Sequence, residues 1–549
     1  MPRGLHSAGA AAGESGCGQA FASGLQTANR VLEDFGKAAQ AIPLPVAEQS
    51  QSLSPSVYYR NGKGRAFVDF QHDVTSKDIE LSYREGYRSV EHLKRYTTLG
   101  MGTDQGKTAN HAGLAIMAEL CGSHPMAVGT TVFRPPFEPV AIGALAGHHT
   151  GKQFRTTRLS AAHTVWDKHG AVFVEVGQWM RPQYFPRADE THWRQAVDRE
   201  VLGTRNHVGL CDVSTLGKIE VTGKDALTFL DFVYCNPMAS LATGKARYGL
   251  MLREDGFVYD DGTVARLADD RFVVTTTTAQ AAGVMNHLDY CHQIHKPHWD
   301  VRMASVSERY SQFAIAGPHA RAVLQKVIGD AFDISDAAFP YLACGELMLA
   351  GTIKARLFRL SFSGERAYEL AVPAPYGQAV AQSLIDAGQD YDLVLYGTEA
   401  LGVMRIEKGH VAGNELNGMT TASDLGLGRM VSKKKDFIGR VMAQRPALLD
   451  PDRPQLAGFR PVNPQDLIGA GAHFFSKDAP HTISHDEGYM TSVAYSPTCG
   501  SLIGLGLIKR GPHRHGEIVT AYDTMRGRKT EVEIVSPCFY DPEGVRLHD

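Results

Sequence analysis

The stretch LREDGFVYDDGTVARL, residues 252–267, has apolar residues on both sides of the turn signal Asp255-Gly256, which is typical of a β-hairpin. It contains two adjacent aspartates, Asp260 and Asp261, although carboxylates are poor strand formers and costly to bury. Three interpretations compete: a calcium loop, a solvated turn, or a catalytic acid at a pocket wall. The acids lack the alternate spacing of a calcium loop. Adjacent strand residues point to opposite faces, so at most one aspartate lines a given pocket, and spacing alone favours a structural turn.

The composition is that of an ordinary globular protein. The chain has 549 residues, which suggests three or four domains, and 43% are hydrophobic and 21% charged. The formal net charge of −3 provides no basic field for nucleic acid or an anionic membrane. No apolar run approaches the ~18 residues of a membrane span, and the start lacks a secretory signal pattern, so we expect a cytoplasmic protein. The eight cysteines are scattered, which favours reduced thiols over disulfides.

Changes in pattern along the chain predict four regions. Residues 1–60 comprise a Gly/Ala-rich turn, a helix and a Pro/Ser/Gln-rich linker. Residues 61–132 form a small helical module, whose first helix follows a capping-box-like Thr75–Asp78. From 133 to 445, period-2 stretches mix with helical stretches without strict alternation, which indicates an α+β fold. Residues 446–549 are short strands with turn residues, which predict a C-terminal β-barrel or small sandwich.

Two tempting motifs are weak. GHHTGKQ (147–153) imitates a phosphate loop, but its glycine spacing is one residue short and Gln153 replaces the Ser or Thr that holds magnesium. A cluster of cysteine and imidazole groups could be zinc ligands, yet it follows a predicted helix, where imidazoles near the C-terminus favour the dipole without a metal. This cluster is Cys291, His292, His295 and His298. We predict no metal site.

Six stretches, read together, resemble the glycine-cleavage T-protein (aminomethyltransferase) family in order and spacing. They are HVGLCDVSTLGKIEVTGKDALTFLDFV (207–233), KARYGLMLREDGFVYDDGTVARL (245–267), QFAIAGPHARAVLQ (312–325), SFSGERAYEL (361–370), RIEKGH (405–410) and SPTCGSLIGLGLI (496–508). The resemblance covers residues 155–549. It implies a T-protein-like fold with a C-terminal β-barrel and binding of tetrahydrofolate.

Further stretches are similar to the C-terminal half of the α subunit of heterotetrameric sarcosine oxidases. They are AFVDFQHDVTSKDIELSYREGYRSVEHLKRYTTLGMGTDQGKT (66–108), RPPFEPVAIGALAG (134–147), VFVEVGQWMRPQYFPR (172–187) and DLGLGRMVSKKKDFIGR (424–440). AGAAAGESGCG (8–18) resembles the last strand–turn–helix of that subunit's dinucleotide-binding domain, so the first region is interpreted as a remnant of it. The resemblance therefore assigns flavin and NAD only to the assembled complex or to partner subunits.

The second resemblance departs from its family at an iron–sulfur site. Relatives that carry a [2Fe–2S] cluster place cysteines where this chain has Asp69, Gln71, Asp104 and Ala109. A cluster needs four thiolates or histidine substitutes. We therefore expect no iron–sulfur cluster in the helical module.

The two resemblances imply an oxidoreductase subunit that works with flavin-bearing partner subunits. Its folate-binding part would transfer the one-carbon unit released by amine demethylation to tetrahydrofolate, giving 5,10-methylenetetrahydrofolate. Asp260 matches the first acid of the family's I-D-D pattern and would be the catalytic acid, because a fixed carboxylate stabilises cationic nitrogen. By the same resemblance, Tyr248 and Glu369 would contact the pterin. Tyr368, beside Glu369, is either a further binding residue or a core aromatic. Arg405 and Glu407 are either ligands or a structural ion pair.

The hairpin geometry bears on this site. If Asp255-Gly256 forms a two-residue turn, Asp260 pairs with Met251, and Tyr248 lies on the opposite face unless a bulge intervenes. Two alternatives also stay open. The chain could be a stand-alone tetrahydrofolate-dependent aminomethyltransferase, or a non-catalytic folate-binding or assembly module. The T-proteins' tail-binding Arg aligns with Leu401, so binding of the folate tail must differ.

Overall fold

The computed structural model of the protein describes residues 5–14, 16–46, 63–135, 138, 140–153 and 156–548. The chain divides into two compact units, residues 1–154 and 155–549. The predicted linker lies partly outside the described residues, and so does the boundary predicted at 60/61. The boundaries predicted at 132/133 and 445/446 stay predictions. Within the described residues, no helix combines the length and apolarity that a membrane crossing requires.

The first unit is mainly helical. Its elements are α1 (Cys17–Asp34), β1 (Phe67–Asp69), β2 (Val74–Thr75), α2 (Ser76–Arg84), α3 (Val90–Thr97), α4 (Asn110–Leu120), α5 (Pro125–Val128) and α6 (Ile142–Leu145). The predicted capping box is confirmed, because the backbone N–H and hydroxyl of Thr75 both donate to Asp78 at 2.7 and 2.6 Å. Helices α2–α4 surround a small apolar core that includes Ile79, Leu93 and Met117. The interpretation of the first region as a dinucleotide-binding remnant stays a prediction.

Polar side chains cross-link two loops of this module at the positions where relatives would have cluster cysteines. The Asp69 carboxylate is buried and accepts from the backbone N–H groups of Gln71 and Gly100, at 2.9 and 2.8 Å. Gln71 donates to Thr103, and Asp104 accepts from Thr108 at 2.7 Å. These hydrogen bonds tie the loops together with side-chain oxygens and amides instead of thiolates.

The second unit contains most of the regular structure. Its helices are α7 (His163–Lys168), α8 (Trp193–Asn206), α9 (Ala226–Val233), α10 (Ala281–Tyr290), α11 (Ala320–Ile328), α12 (Gly377–Gly388), α13 (Thr398–Lys408) and α14 (Val545–His548). Its strands are β3 (Arg158–Leu159), β4 (Val172–Val176), β5 (Trp179–Tyr184), β6 (Val208–Asp212), β7 (Gly217–Thr222), β8 (Lys245–Leu252), β9 (Val258–Ala268), β10 (Arg271–Thr276), β11 (Arg302–Ser305), β12 (Tyr310–Ala316), β13 (Cys344–Leu349), β14 (Ile353–Phe358), β15 (Ala367–Pro373), β16 (Leu393–Leu395), β17 (Pro454–Pro461), β18 (His473–Ser476), β19 (Gly488–Ser496), β20 (Ser501–Lys509), β21 (Ile518–Asp523) and β22 (Arg528–Val535).

Two sheets and the helices packed on them form the body of this unit. The five-stranded sheet has the order β11-β7-β10-β9-β8 and the six-stranded sheet the order β13-β14-β15-β12-β6-β16; a small sheet β3-β5-β4 lies apart from them. Helices α9 and α10 pack on the first sheet and α11 and α12 on the second. The predicted α+β class is confirmed: neighbouring strands run antiparallel except β16 with β6 and β3 with β5.

The two sheets meet through the faces opposite α9–α10 and α11–α12, and helices α8 and α13 cover part of this face of the six-stranded sheet, where they pack against Cys211 and Ala314. Ala246, Ala265 and Val273 of the five-stranded sheet form one apolar cluster with Phe358 and Ala371 of the six-stranded sheet. Side chains on these two faces therefore point toward a common space. We call it the intersheet face, meaning the surfaces that β7–β10 and β12–β15 present to each other.

The C-terminal strands close into a barrel in the order β17-β20-β19-β18-β21-β22, so the predicted barrel is confirmed and the sandwich alternative is not. Barrel residues Ile503, Leu505 and Leu507 pack against Leu250 of β8 and Ile406 of α13. The barrel thus contacts the hairpin that carries the two aspartates.

Candidate functional site

The hairpin β8–β9 places Asp260 on the helical side of its sheet. Asp260 pairs with Met251 as predicted, but the two-residue turn is wrong. The Arg253 N–H donates to the Phe257 carbonyl, so the turn has three residues, and a bulge beside Leu252 offsets the extra one. Met251 and Val264, which share the face of Asp260, pack in the core formed with α9 and α10. The Asp260 side chain is 1% exposed and accepts from the Thr277 hydroxyl at 3.1 Å and backbone N–H at 3.4 Å.

Asp261 points to the intersheet face instead. It pairs with Leu250, and Tyr248 pairs with Thr263, so Asp261 and Tyr248 lie on the same face. The Tyr248 hydroxyl donates to the Asp261 carboxylate at 2.7 Å. A bulge occurs between Met251 and Leu252, on the turn side of Asp260, and it leaves Tyr248 and Asp260 on opposite faces. The structure thus brings Tyr248 together with Asp261 and not with Asp260.

Glu369 and Lys218 approach the intersheet face from the two sheets. Glu369 pairs with Ala314 in β12 and Phe358 in β14, on the face opposite α11 and α12. The Gln312 side-chain amide donates to the Glu369 carboxylate. Lys218 is 2% exposed, and its ammonium donates to the carbonyls of Ser214 and Leu216 at 2.8 and 2.9 Å.

Burial sets the protonation of these groups. Burial, reinforced by the charge of Asp261, raises the pKa of Asp260 to about 7, against the hydrogen bonds from Thr277. Burial also raises the pKa of Asp261, although the bond from Tyr248 opposes the shift. The two adjacent carboxyls therefore carry fewer than two negative charges at neutral pH, which suits proton exchange with a ligand.

The facing groups respond to burial in the same way. Burial raises the pKa of Glu369, and it lowers the pKa of Lys218 to about 8, although the carboxylates of Glu369 and Asp212 favour the ammonium. The intersheet face thus offers a carboxyl that holds a proton more readily than usual and an amine that loses one more readily than usual. Hydrogen-bond donors and acceptors are both available to a heterocycle.

Two predicted binding residues lie elsewhere. Tyr368 points to the helical side of the six-stranded sheet, is fully buried in its core, and accepts from Arg321 Nε at 3.1 Å. Of the two alternatives for Tyr368, a binding residue or a core aromatic, the structure places it in the core. Arg405 of α13 pairs with Glu415 at 2.9 Å and donates to Ser492 of the barrel at 2.7 Å.

Arg405 and Glu407 belong to two separate ion pairs. Glu407 pairs with Arg205 at 2.6 Å, whereas Arg405 pairs with Glu415. Residues at i and i+2 on a helix do not face each other, which explains why α13 directs them to different partners. Arg405 and Glu407 therefore do not form an ion pair with each other, and a ligand role for Arg405 stays a prediction.

Sequence reasoning missed Lys218, Gln312 and Thr277. Lys218 lies in GKIEVTG (217–223), where alternation puts it on the face opposite Ile219. That signal predicts an unusual lysine on one face of a strand, but its burial depends on packing between the two sheets. Gln312 and Thr277 carry no sequence signal, because their partners lie 57 and 17 residues away.

The cysteine and histidine cluster after α10 is held by protein groups. His292 Nε2 lies 2.9 Å from the carbonyl of Trp299, and Cys291 Sγ lies 3.6 Å from a ring nitrogen of His287. Over the described residues, no group of three or more His, Cys, Asp or Glu side chains is arranged to hold a metal ion.

Three family models match the chain. They are the GCVT N-terminal domain over residues 162–435, the sarcosine oxidase A3 domain over 63–148 and the glycine cleavage T-protein C-terminal barrel domain over 455–541. An aminomethyltransferase of Chloroherpeton thalassium is 30% identical over 70% of this chain and 98% of its own length. Glycine cleavage system aminomethyltransferase T from Bartonella henselae has a similar structure, with a TM-score of 0.60 and 25% identity over 70% of this chain and 98% of that chain. The chain belongs to the aminomethyltransferase (glycine-cleavage T-protein) family.

Within that class, the chain has relatives that match it from end to end. The sarcosine oxidase subunit alpha of Rhizobium meliloti (strain 1021) is 51% identical over 100% of this chain and 56% of its own length. The corresponding subunit of Corynebacterium sp. (strain U-96) is 38% identical over 98% of this chain. The chain is thus homologous to sarcosine oxidase alpha subunits and spans just over half of their length.

Proposed function

We propose that residues 155–549 bind tetrahydrofolate at the intersheet face and transfer to it the one-carbon unit released by amine demethylation, giving 5,10-methylenetetrahydrofolate. The chain would act as part of a sarcosine-oxidase-type complex, in which flavin and NAD belong to partner subunits or to the assembled complex. The family membership and the end-to-end similarity to alpha subunits support this proposal. The observation that carries it is that Tyr248, Asp261 and Glu369 all point to the intersheet face.

The groups on the intersheet face suit a reduced pterin. Glu369, held by Gln312, would accept hydrogen bonds from amino and ring N–H groups, and a carboxylate that accepts two such bonds recognises the ring by its edge. Tyr248 would fix the orientation of the Asp261 carboxylate through its hydroxyl. Tetrahydrofolate supplies the nucleophilic amine nitrogen, and this chain supplies charge and proton acceptance at a carboxylate oxygen.

The choice between the two aspartates follows from the register. The sequence assigned the catalytic role to Asp260, with Asp261 as its structural companion. Because Tyr248 and Glu369 share the intersheet face with Asp261, we propose that Asp261 meets the folate and that Asp260 tunes its charge from the other side of the sheet. A carboxylate ~4 Å from a cationic nitrogen, at an effective dielectric of ~20, contributes roughly 4 kcal/mol of attraction.

Folate binding by the purified chain tests the proposal without partner subunits. We expect calorimetric titration with tetrahydrofolate under argon to give one saturable site. Glu369→Gln should weaken binding about tenfold, because the hydrogen bonds to a charged acceptor are lost. Glu531→Gln is the matched control, since Glu531 is a half-exposed barrel carboxylate that pairs with Lys477. An absence of saturable binding, or equal loss in both variants, would contradict the proposal.

A further inference from the structure

A second site lies outside the residues that carry the proposed function. It is a cavity of about 360 Å³ at the end of β12 where β3, β5 and the start of α12 come together. Its walls include Arg158, Ser160, Trp179, Ser214, Tyr310 and Ser311. The volume is at the lower end of the range found for small-molecule sites, and the walls mix apolar surface with hydroxyls, the cation Arg158 and the carboxylate Glu308.

One hydroxyl in this cavity lacks a partner. Ser311 is 1% exposed, and its Oγ makes no hydrogen bond within the described part of the chain. The neighbouring serines are occupied: Ser160 Oγ donates to Asp212 at 2.7 Å, and Ser214 Oγ bonds to the backbone of Gln312. A buried polar atom without a partner costs free energy, so the unpaired Ser311 hydroxyl favours a ligand that bonds to it.

Positive charge borders the same cavity. The Arg158 guanidinium lies 4.4 Å from the ring centroid of Trp179 and forms an ion pair with Glu308, a carboxylate whose side chain is 66% exposed. An exposed ion pair contributes little, so another carboxylate can replace Glu308 at small cost. Ala374 lines the cavity and begins the 3-10 turn that leads into α12, where the helix dipole has its positive end.

A second carboxylate, that of Asp212, bonds to the wall residues Ser160 and Ser214. Asp212 accepts from Ser160 Oγ, from Trp166 Nε1 at 2.6 Å and from the backbone N–H of Ser214 at 2.9 Å. The Asp212 carboxylate is therefore occupied by protein donors. The Ser311 hydroxyl, the Arg158 guanidinium and the N-terminal end of α12 remain available to a ligand.

We propose that this cavity binds a small organic carboxylate, with the carboxylate held by Arg158 and Ser311 and a short apolar stem against Trp179 and Tyr310. Two sources share this chemistry: a free carboxylic acid, or the carboxylate tail of a folate bound at the intersheet face. The second source would supply the tail contact that Leu401 cannot make. The cavity and its unpaired hydroxyl are independent of the proposed function.

Glutarate is the probe for the carboxylate site. We expect saturable binding of glutarate to the purified chain by ligand-observed NMR, about tenfold weaker in Arg158→Gln and several-fold weaker in Ser311→Ala. Matched controls are Arg302→Gln, an exposed arginine of β11, and Ser383→Ala, an exposed serine of α12; both should bind like wild type. Unchanged thermal midpoints show that the variants are folded. Glutarate that does not saturate, or that binds equally to all variants, overturns the proposal.

A second pair of ligands separates the two sources. If the carboxylate is the folate tail, Arg158→Gln weakens tetrahydrofolate but not tetrahydropteroate, which lacks the glutamate. If it is a free acid, Arg158→Gln weakens glutarate and leaves both pterins unchanged. If wild type binds neither pterin while the glutarate effects persist, the proposed function fails and the carboxylate site stands.

Discussion

A buried carboxyl beside a second one is the residue-scale feature on which the site depends. Asp260 accepts from the hydroxyl and backbone N–H of Thr277, and Asp261 accepts from the phenol of Tyr248. Two carboxylates at adjacent positions resist simultaneous ionisation, and burial strengthens that resistance. The pair can therefore hold or release a proton near neutral pH.

The raised pKa of Asp260 predicts a pH-dependent stability. Its folded-state pKa of about 7 lies above the ordinary value of 3.8, so the native state binds the extra proton between these values. Stability therefore falls as pH rises from about 4 to about 7, by up to roughly 4 kcal/mol from this group alone.

Asp260→Asn should remove this loss. We expect the variant to gain thermal stability relative to wild type at pH 8 but not at pH 4.5, measured by differential scanning calorimetry at both pH values. Glu531→Gln, which removes a half-exposed carboxylate of the barrel, is the matched control for loss of one carboxyl. A gain of equal size at both pH values would show that ionisation of Asp260 is not the cause.

At the scale of elements, the hairpin β8–β9 owes its position to its turn. Gly256 has φ of +90°, and a Cβ there would lie 2.6 Å from the backbone of Ala443. Arg445 donates to the carbonyl of Asp255 at 2.7 Å, and Arg253 donates to that of Gly418 at 3.0 Å. The loop around residues 418–445 thus holds the hairpin tip at a distance that only glycine permits.

Gly256→Ala should destabilise the protein more than the same substitution at a strained glycine without neighbours. Gly500 is the matched control, because it has φ of +67° and a Cβ added there would meet nothing within 4 Å. We expect Gly500→Ala to cost about 1 kcal/mol from backbone strain, and Gly256→Ala about 3 kcal/mol from strain plus steric overlap. Urea denaturation of the two variants measures the difference, and equal costs would contradict a tight contact at the tip.

Local sequence patterns predict some elements of the fold but not the packing between the two sheets. The hairpin, its register with Asp260 opposite Met251, the capping box at Thr75 and the C-terminal barrel follow from local patterns. Alternation also predicts that Asp260 and Asp261 point to opposite faces. Which face meets the second sheet depends on packing between strands that are distant in sequence, which a local pattern does not contain.

At the scale of the whole molecule, the chain combines a T-protein-like unit with a module of the sarcosine oxidase A3 type. Its relatives with end-to-end similarity are about twice as long. We therefore expect the chain to copurify with flavin-bearing subunits when coexpressed with its genomic neighbours, which a flavin absorption spectrum of the complex measures. A chain that stays alone under these conditions and forms methylenetetrahydrofolate by itself would favour a stand-alone aminomethyltransferase.

Two neighbouring substitutions in that complex show which aspartate serves one-carbon capture by tetrahydrofolate. Amine oxidation is followed by oxygen consumption, and one-carbon capture by formation of 5,10-methylenetetrahydrofolate. We predict that Asp261→Asn leaves oxidation unchanged and lowers capture at least about a hundredfold, as expected when roughly 3–4 kcal/mol of charge stabilisation is lost, whereas Asp260→Asn lowers it less. Loss of capture in Asp260→Asn but not in Asp261→Asn would show that Asp260 is the catalytic residue. Capture retained in both variants would contradict a role for either carboxylate in one-carbon transfer.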